Sequence, residues 1–212
     1  MPNLSSHIQT FSVFDAPYAG HDLILESLDG FEIEKVGNSS VEYFTNRWNA
    51  TVGPPIDQSI FIAKKDSLPL YPYTWNKRRQ LRIGLASYIE NDPIGEYHLF
   101  TGDVTSPFLG FGLLFKPTQI KAWAGNGVNH TEIILFDALT PGVNYEHLYE
   151  LVFYPGNGLY VYADVVLAGS ITTNLPTGTN NADDLIAVSM LNGTEGTQSV
   201  LAFSRIQFSQ DN

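Results

Sequence analysis

The sequence predicts an all-β protein, a single antiparallel two-sheet β-sandwich over residues 1–212, and three observations carry this prediction. Residues 110–174 hold three long runs of β-forming residues. Tight turns join these runs and leave no room for crossover helices, so their strands pair antiparallel. The composition, with 13 Phe, 11 Tyr and only 16% charged residues, suits two packed sheets and argues against helical or disordered classes.

The chain before residue 110 predicts a series of shorter strands separated by Pro- and Gly-containing segments. The clearest alternation of side chains is in 31–36, which ends at the turn residues Gly37 and Asn38. The predicted strands of this part are 7–13, 23–26, 31–36, 41–48, 59–64, 80–87 and 97–101.

The remainder predicts longer strands. They are 110–123 with a break at 116–118, 131–136, 145–154, 159–167, 185–191 and 200–208. In 145–154 one face is apolar and aromatic and the other is mixed, which predicts a half-buried strand. Pro155-Gly156-Asn157-Gly158 then predicts a hairpin turn. No linker or internal repeat divides the chain, which favours one domain.

Residues 149–178 read YELVFYPGNGLYVYADVVLAGSITTNLPTG. This run resembles the C-terminal strands of concanavalin A-like (LamG-like) jelly-roll sandwiches, and similar segments occur in structural and receptor-binding proteins of viruses and phages. The resemblance covers about the last half of the chain and implies a jelly roll of the lectin and glucanase type. The family usually has Asp-Gly or Asn-Gly at a turn where this chain has Asp164-Val165. Because valine resists positive φ, either the turn type differs or the strand runs on.

Charge and residue usage exclude several classes of function. The 11 basic and 22 acidic residues give a net charge of −11, which argues against binding to nucleic acid or an anionic membrane. The basic cluster Lys77, Arg78, Arg79 and Arg82 is expected to be a solvated strand edge, with a phosphate site as the alternative. The absence of cysteine excludes disulfides and thiolate chemistry. Neither a signal peptide nor a membrane span is visible, and an extracellular or virion-surface location is expected.

Glu32 and Glu34 are the candidate catalytic pair. As residues i and i+2 of one strand they share a face at about 6.6 Å, a separation that suits glycoside hydrolysis. The segment Glu32-Ile33-Glu34 is similar to the Glu-Ile-Asp core of a laminarinase-like motif, but Lys35 and Val36 follow where that motif has a third acid. A solvated outer face is the alternative interpretation.

Aromatic residues supply the candidate glycan-binding site, since a sugar has an apolar C–H face that stacks on an aromatic ring. The candidates are Trp48, Tyr71, Tyr73, Trp75 and Trp123. The residues at 71, 73 and 75 lie two apart around Pro72 and would point the same way if extended. The alternative is that these aromatics fill the end of the sandwich.

Calcium is the candidate cofactor, because hard cations prefer oxygen ligands and lectin-like sandwiches often hold calcium in loops. The candidate ligands are Asn180, Asn181, Asp183 and Asp184, which follow no specific calcium-loop spacing. The same residue types are ordinary in turns.

Together these features predict a non-enzymatic surface or structural protein, of a virion in one interpretation, that binds carbohydrate. A glycan-active hydrolase or lyase on the same fold is the alternative. A third class is a structural protein that assembles with copies of itself or with other surface proteins.

Overall fold

The computed structural model describes residues 31–36, 39–44, 47–52, 59–65, 74–89, 96–103, 109–140, 143, 145–178, 184–191, 199–203 and 205–210. Side chains are described for 74–84, 98–102, 109–140, 143 and 145–178. The predicted strands 7–13 and 23–26 lie outside the described residues.

The described residues form fifteen β-strands and no helix. The strands are β1 Phe31–Val36, β2 Ser39–Phe44, β3 Arg47–Val52, β4 Ser59–Lys65, β5 Arg79–Ile89, β6 Glu96–Asp103, β7 Leu109–Lys116, β8 Gln119–Asn126, β9 His130–Phe136, β10 Tyr145–Tyr154, β11 Gly158–Ala163, β12 Val166–Ile171, β13 Asp184–Leu191, β14 Ser199–Phe203 and β15 Arg205–Gln210.

These strands build two sheets in which every pair is antiparallel, as predicted. One sheet has the order β1-β4-β13-β6-β7-β8-β9. The other has the order β12-β11-β10-β5-β14-β3-β2, and β15 also pairs with β5. The all-β, two-sheet fold class is therefore confirmed.

Of the strands predicted at 41–48 and 200–208, the first is divided and the second is not. The prediction of one strand over 41–48 was wrong, since β2 and β3 form a hairpin in which Phe44 pairs with Arg47. The strand predicted at 200–208 holds, because β14 and β15 pair with β5 in the same register, Val200 with Ile89 and Arg205 with Gly84.

The core lies between the sheets and is rich in aromatic rings. Strand β10 contributes to the core the face that was predicted to be apolar. Its Tyr149, Leu151 and Phe153 are each 0% exposed. Phe111 of β7 stacks on Phe153 from the opposite sheet at 5.8 Å between ring centroids. Contacts of this kind add about 0.5–1.5 kcal/mol each to the burial of apolar area.

The basic cluster is not a solvated strand edge, and that expectation was wrong. Strand β5 lies between β10 and β14, in the interior of its sheet. Arg79 is 0% exposed and its guanidinium lies 3.7 Å from the ring centroid of Trp75. A cation buried against an indole face recovers part of its lost hydration energy through the ring quadrupole.

The segment Asp164-Val165 forms a two-residue turn between β11 and β12, so the strand does not run on. Both residues have positive φ, 48° and 65°, as a type I′ hairpin turn requires. Valine therefore occupies a conformation that its branched side chain disfavours. The Asp164 carboxylate holds the turn in place, accepting a bond of 3.0 Å from the Leu148 amide and lying 2.6 Å from His147 Nδ1.

Replacement of Val165 by glycine should stabilise the protein. The left-handed conformation costs an L-residue about 1–2 kcal/mol. Against this gain, glycine loses about 0.5–1 kcal/mol more backbone entropy on folding, because its unfolded chain is more flexible. A net gain of up to about 1 kcal/mol in the free energy of unfolding is expected, measured by urea denaturation. Val166→Gly, in an exposed strand position next to the turn, should destabilise and serves as control. A loss of stability in Val165→Gly would mean that the valine side chain makes contacts worth more than the strain.

Candidate functional site

The candidate site begins at the turn that joins β10 to β11. Pro155 and Gly156 occupy the two central positions of a turn closed by a bond of 3.1 Å from the Asn157 amide to the Tyr154 carbonyl. Gly156 has φ of 67°. Proline followed by a residue with positive φ is the requirement of a type II turn, so the predicted hairpin is confirmed. The turn sets Tyr154 opposite Gly158.

The register set by this turn brings three tyrosines to one face. The face of β10 and β11 opposite the core carries Tyr154, Tyr160 and Tyr162, and a pocket of about 310 Å³ opens there. The lining residues are Tyr154, Asn157, Tyr160, Tyr162 and Leu167. The rings of Tyr154 and Tyr160 meet edge to face, 5.8 Å apart at 80°. An apolar, aromatic pocket with a few polar groups is typical of small-ligand sites.

Buried polar side chains lie on the same sheet face. Glu150 pairs across strands with the pocket residue Tyr162 and is only 2% exposed. Among the residues that the structure describes, neither of its carboxylate oxygens has a hydrogen-bond partner, and the same holds for the side-chain amide of Gln80, 1% exposed on β5. The sequence predicted a half-buried strand here, yet Val152 between them is also fully buried. The face is closed rather than solvated at these positions.

Burial governs the electrostatics of this face. It raises the pKa of Glu150 from 4.5 to about 7, and the neighbouring Arg82 opposes the shift. Burial, followed by the nearby Tyr154 and Glu150, also raises the pKa of the Tyr162 phenol. A carboxyl that keeps its proton near neutral pH is a feature enriched at functional sites.

The outer face of the seven-stranded sheet is the second candidate surface. Cross-strand partners there form a continuous row: Glu32, Ala63, Ala187, Phe100, Gly112, Trp123 and Glu132. Glu34 belongs to the next row on the same face. Strand β1 is an edge strand, five strands from β8, so roughly 24 Å separate the backbone of the candidate acids from that of Trp123.

Phe100 and Trp123 cover Gly112 on this face. A Cβ at Gly112 would lie 2.4 Å from Cβ of Phe100, so only glycine fits between its neighbours. The rings of Phe100 and Trp123, which lie on either side of the glycine, approach to 5.7 Å between centroids. Trp123 is 5% exposed as a result of this packing.

The other predicted aromatics take different places. Trp75 is 1% exposed, packs edge-on against Phe111 and Phe153, and donates its amide hydrogen to the Gly178 carbonyl at 2.9 Å. It fills the core in this arrangement and offers no ring face to a ligand. Trp48 belongs to β3, and Tyr71 and Tyr73 lie outside the described residues. Glycan binding by the five predicted aromatics stays a prediction.

Three candidate calcium ligands, Asn180, Asn181 and Asp183, lie outside the described residues, and Asp184 begins β13. Among the residues that the structure describes, no three His, Asp or Glu side chains converge as a metal site would require. Calcium binding by the 180–184 loop stays a prediction. Within the described part of the chain no helix has the length and hydrophobicity to span a bilayer.

Sequence reasoning did not single out the pocket tyrosines, although a signal was present. Tyr160 and Tyr162 are separated by one residue on a strand, which places them on one face, and Tyr154 precedes a recognisable turn. Counting tyrosines by face across the hairpin would have found the cluster. Leu167 joins it only through the turn at Asp164 and Val165, which the sequence left open.

Comparison with known proteins shows the fold. No protein-family model and no curated protein matches the chain. A structure of botulinum neurotoxin type C, which interacts with two ganglioside molecules, superposes with a TM-score of 0.61 at 8% identity over 93% of this chain. The chain spans about half of that toxin chain, 49%.

Two smaller structures match over nearly their whole length. A prokaryotic β-1,3-1,4-glucanase (lichenase) from a mouse hindgut metagenome has a TM-score of 0.58 at 13% identity, covering 91% of this chain and 97% of its own. The carbohydrate recognition domain of Emp47p has a TM-score of 0.60 at 12% identity, covering 92% and 96%. The chain is therefore a concanavalin A-like β-sandwich, the fold that the resemblance of 149–178 implied.

Replacement of Glu150 by glutamine should remove a pH dependence of stability. The folded carboxyl holds its proton up to about pH 7, whereas the unfolded carboxyl releases it near pH 4.5. The unfolded state thus binds fewer protons between these values, and stability falls as pH rises through this window. The fall due to Glu150 is on the order of 2–3 kcal/mol.

Urea denaturation at pH 5 and pH 8 measures this fall in the free energy of unfolding. The fall in unfolding free energy should be larger in the wild type than in Glu150→Gln. Glu146→Gln, which alters an exposed carboxyl on the same strand, should keep the wild-type behaviour. Equal falls in wild type and Glu150→Gln would show that the Glu150 carboxyl is not desolvated in solution.

Proposed function

We propose that this protein is a non-enzymatic glycan-binding module whose ligand occupies the pocket of Tyr154, Tyr160 and Tyr162. The single observation that carries the proposal is this cluster of tyrosines around a cavity of about 310 Å³. Aromatic faces match the apolar face of a sugar, and phenol hydroxyls and the Asn157 amide supply groups for its hydroxyls. The volume lies at the small end of the usual range for ligand pockets, which suits one terminal sugar.

The fold supports the proposal. Emp47p carries a carbohydrate recognition domain on this sandwich, and botulinum neurotoxin type C interacts with gangliosides. The pocket is also a recess in a sheet face rather than a cleft between two carboxylates. No carboxyl is among the described residues that line it, and the oxygens of Glu150, the cross-strand partner of Tyr162, are inaccessible. Exposure on an extracellular or virion surface, expected from the sequence, is the location that we propose.

A glycan-active enzyme is the second candidate. It is favoured by the strand register, which places Glu32 and Glu34 on the outer face of the seven-stranded sheet. Glu32 belongs to the row of cross-strand partners that includes Phe100, and Glu34 to the row that includes His98. A polysaccharide panel assayed for new reducing ends tests it. Cleavage that is lost in Glu32→Gln, with binding retained, would replace the binding proposal by a hydrolase.

Replacement of Tyr160 by alanine should weaken glycan binding about tenfold or more. Tyr160 is half-buried and contributes a ring to the pocket without entering the core. Loss of one stacked ring removes about 0.5–1.5 kcal/mol beyond its buried area. The ligand is first identified on a glycan array, and its affinity is then measured by isothermal titration calorimetry.

Tyr160→Phe is the matched control, since it keeps the ring and removes only the hydroxyl. It should bind within a few-fold of the wild type if stacking dominates. Unfolding curves establish that both variants are folded. Full affinity in Tyr160→Ala would place the glycan elsewhere, and the outer face around Phe100 and Trp123 would be tested next.

A further inference from the structure

Two of the basic side chains of residues 77–82, those of Arg78 and Arg82, lie beside the tyrosine pocket. Four of the 11 Lys and Arg residues of the chain fall in this stretch, in a protein of net charge −11. Arg79 turns into the core, but Arg78 and Arg82 are partly exposed. Arg82 is the cross-strand partner of Glu150, and the guanidinium carbon of Arg78 lies 5.7 Å from the ring centroid of Tyr154.

Arg78 is placed to reach a ligand in the pocket. Its guanidinium lies over the ring of Tyr154, which is itself a wall of the pocket. An arginine held by an aromatic ring loses less side-chain entropy when it binds an anion, because the ring already restricts it. Its planar donors match the two oxygens of a carboxylate or sulfate.

The charges beside the pocket favour an anion. Arg78, which precedes β5, lies over the ring of Tyr154, and Arg82 of β5 is the cross-strand partner of Glu150, which in turn pairs with Tyr162. Tyr160 and Tyr162 of β11 and Tyr154 of β10 contribute aromatic rings and phenol hydroxyls to the lining. The opposing carboxyl among the described residues is Glu150, which holds its proton up to about pH 7. Glu146, the next acid on that face of β10, lies four residues away, about 13 Å along the strand.

We propose that the tyrosine pocket selects acidic glycans, with Arg78 binding the carboxylate or sulfate of a sugar whose apolar face stacks on the tyrosines. This proposal rests on the proposed function and adds the class of ligand to it. Arg82 contributes to the positive potential at longer range, where its effect is screened by salt.

The test compares matched glycans. A panel of uncharged oligosaccharides and their carboxylate- or sulfate-bearing counterparts is titrated into the wild type by calorimetry. We expect the acidic member of a pair to bind at least about tenfold more tightly, as one charge-assisted bidentate pair provides. The advantage should shrink at high salt.

Arg78→Gln should lower the affinity for the acidic glycan much more than the affinity for its uncharged counterpart, and so remove most of this advantage. Arg78→Lys should keep part of it. Lys77→Gln, a change of the adjacent partly exposed cation, is the matched control and should retain the advantage. Unfolding curves check that each variant is folded.

The outcomes separate the two proposals. Equal affinity for acidic and uncharged glycans, both lost in Tyr160→Ala, would keep the pocket as a glycan site and overturn the selection of acidic ligands. An advantage that survives in Arg78→Gln would overturn the role of Arg78. Binding of neither class across the panel would overturn the proposed function itself, and the inference with it.

Discussion

The register of β10, β11 and β12 is the constraint on which both the core and the candidate site depend. Side chains alternate along each strand, so one pairing decides at once which residues fill the core and which face outward. With Tyr154 opposite Gly158, Val161 enters the core and Tyr160 and Tyr162 form the pocket. A slip by one residue would drive the tyrosines into a core already filled by Phe153.

Two turns hold this register by different physical means. The turn at Pro155 and Gly156 is favoured by its own residues, since both adopt the required angles at little cost. The turn at Asp164 and Val165 is strained and depends on tertiary contacts. His147, which lies 2.6 Å from the Asp164 carboxylate, stacks on Phe136 of the opposite sheet at 4.4 Å. One edge of the pocket is thereby linked to the packing between the sheets.

Much of the fold follows from local features of the sequence, because alternation and turn residues act over a few positions. The strand at 145–154 and its apolar face could be predicted, as could the hairpin at Pro155. Other features depend on contacts between distant segments and could not. Nothing in the local pattern shows that the side chain of Glu150 is buried, or that Arg79 lies inward against Trp75. The turn at Asp164 was ambiguous for the same reason.

The buried polar groups beside the pocket are more than the fold requires. An apolar side chain at Gln80 or Glu150 would fill the same space without the cost of burying an amide or a carboxyl that lacks partners, a cost of about 1–3 kcal/mol per group. Sequences depart from such local rules chiefly where a site needs the group. Beside Tyr162 and Arg82, the buried carboxyl of Glu150, whose pKa is raised to about 7, is protonated below that pH and there adds a polar group without opposing the charge of the arginines. A permanently ionised carboxylate at this position would oppose the positive potential of the arginines. The burial of Glu150 and the nearby arginines therefore both favour a positive potential at the pocket.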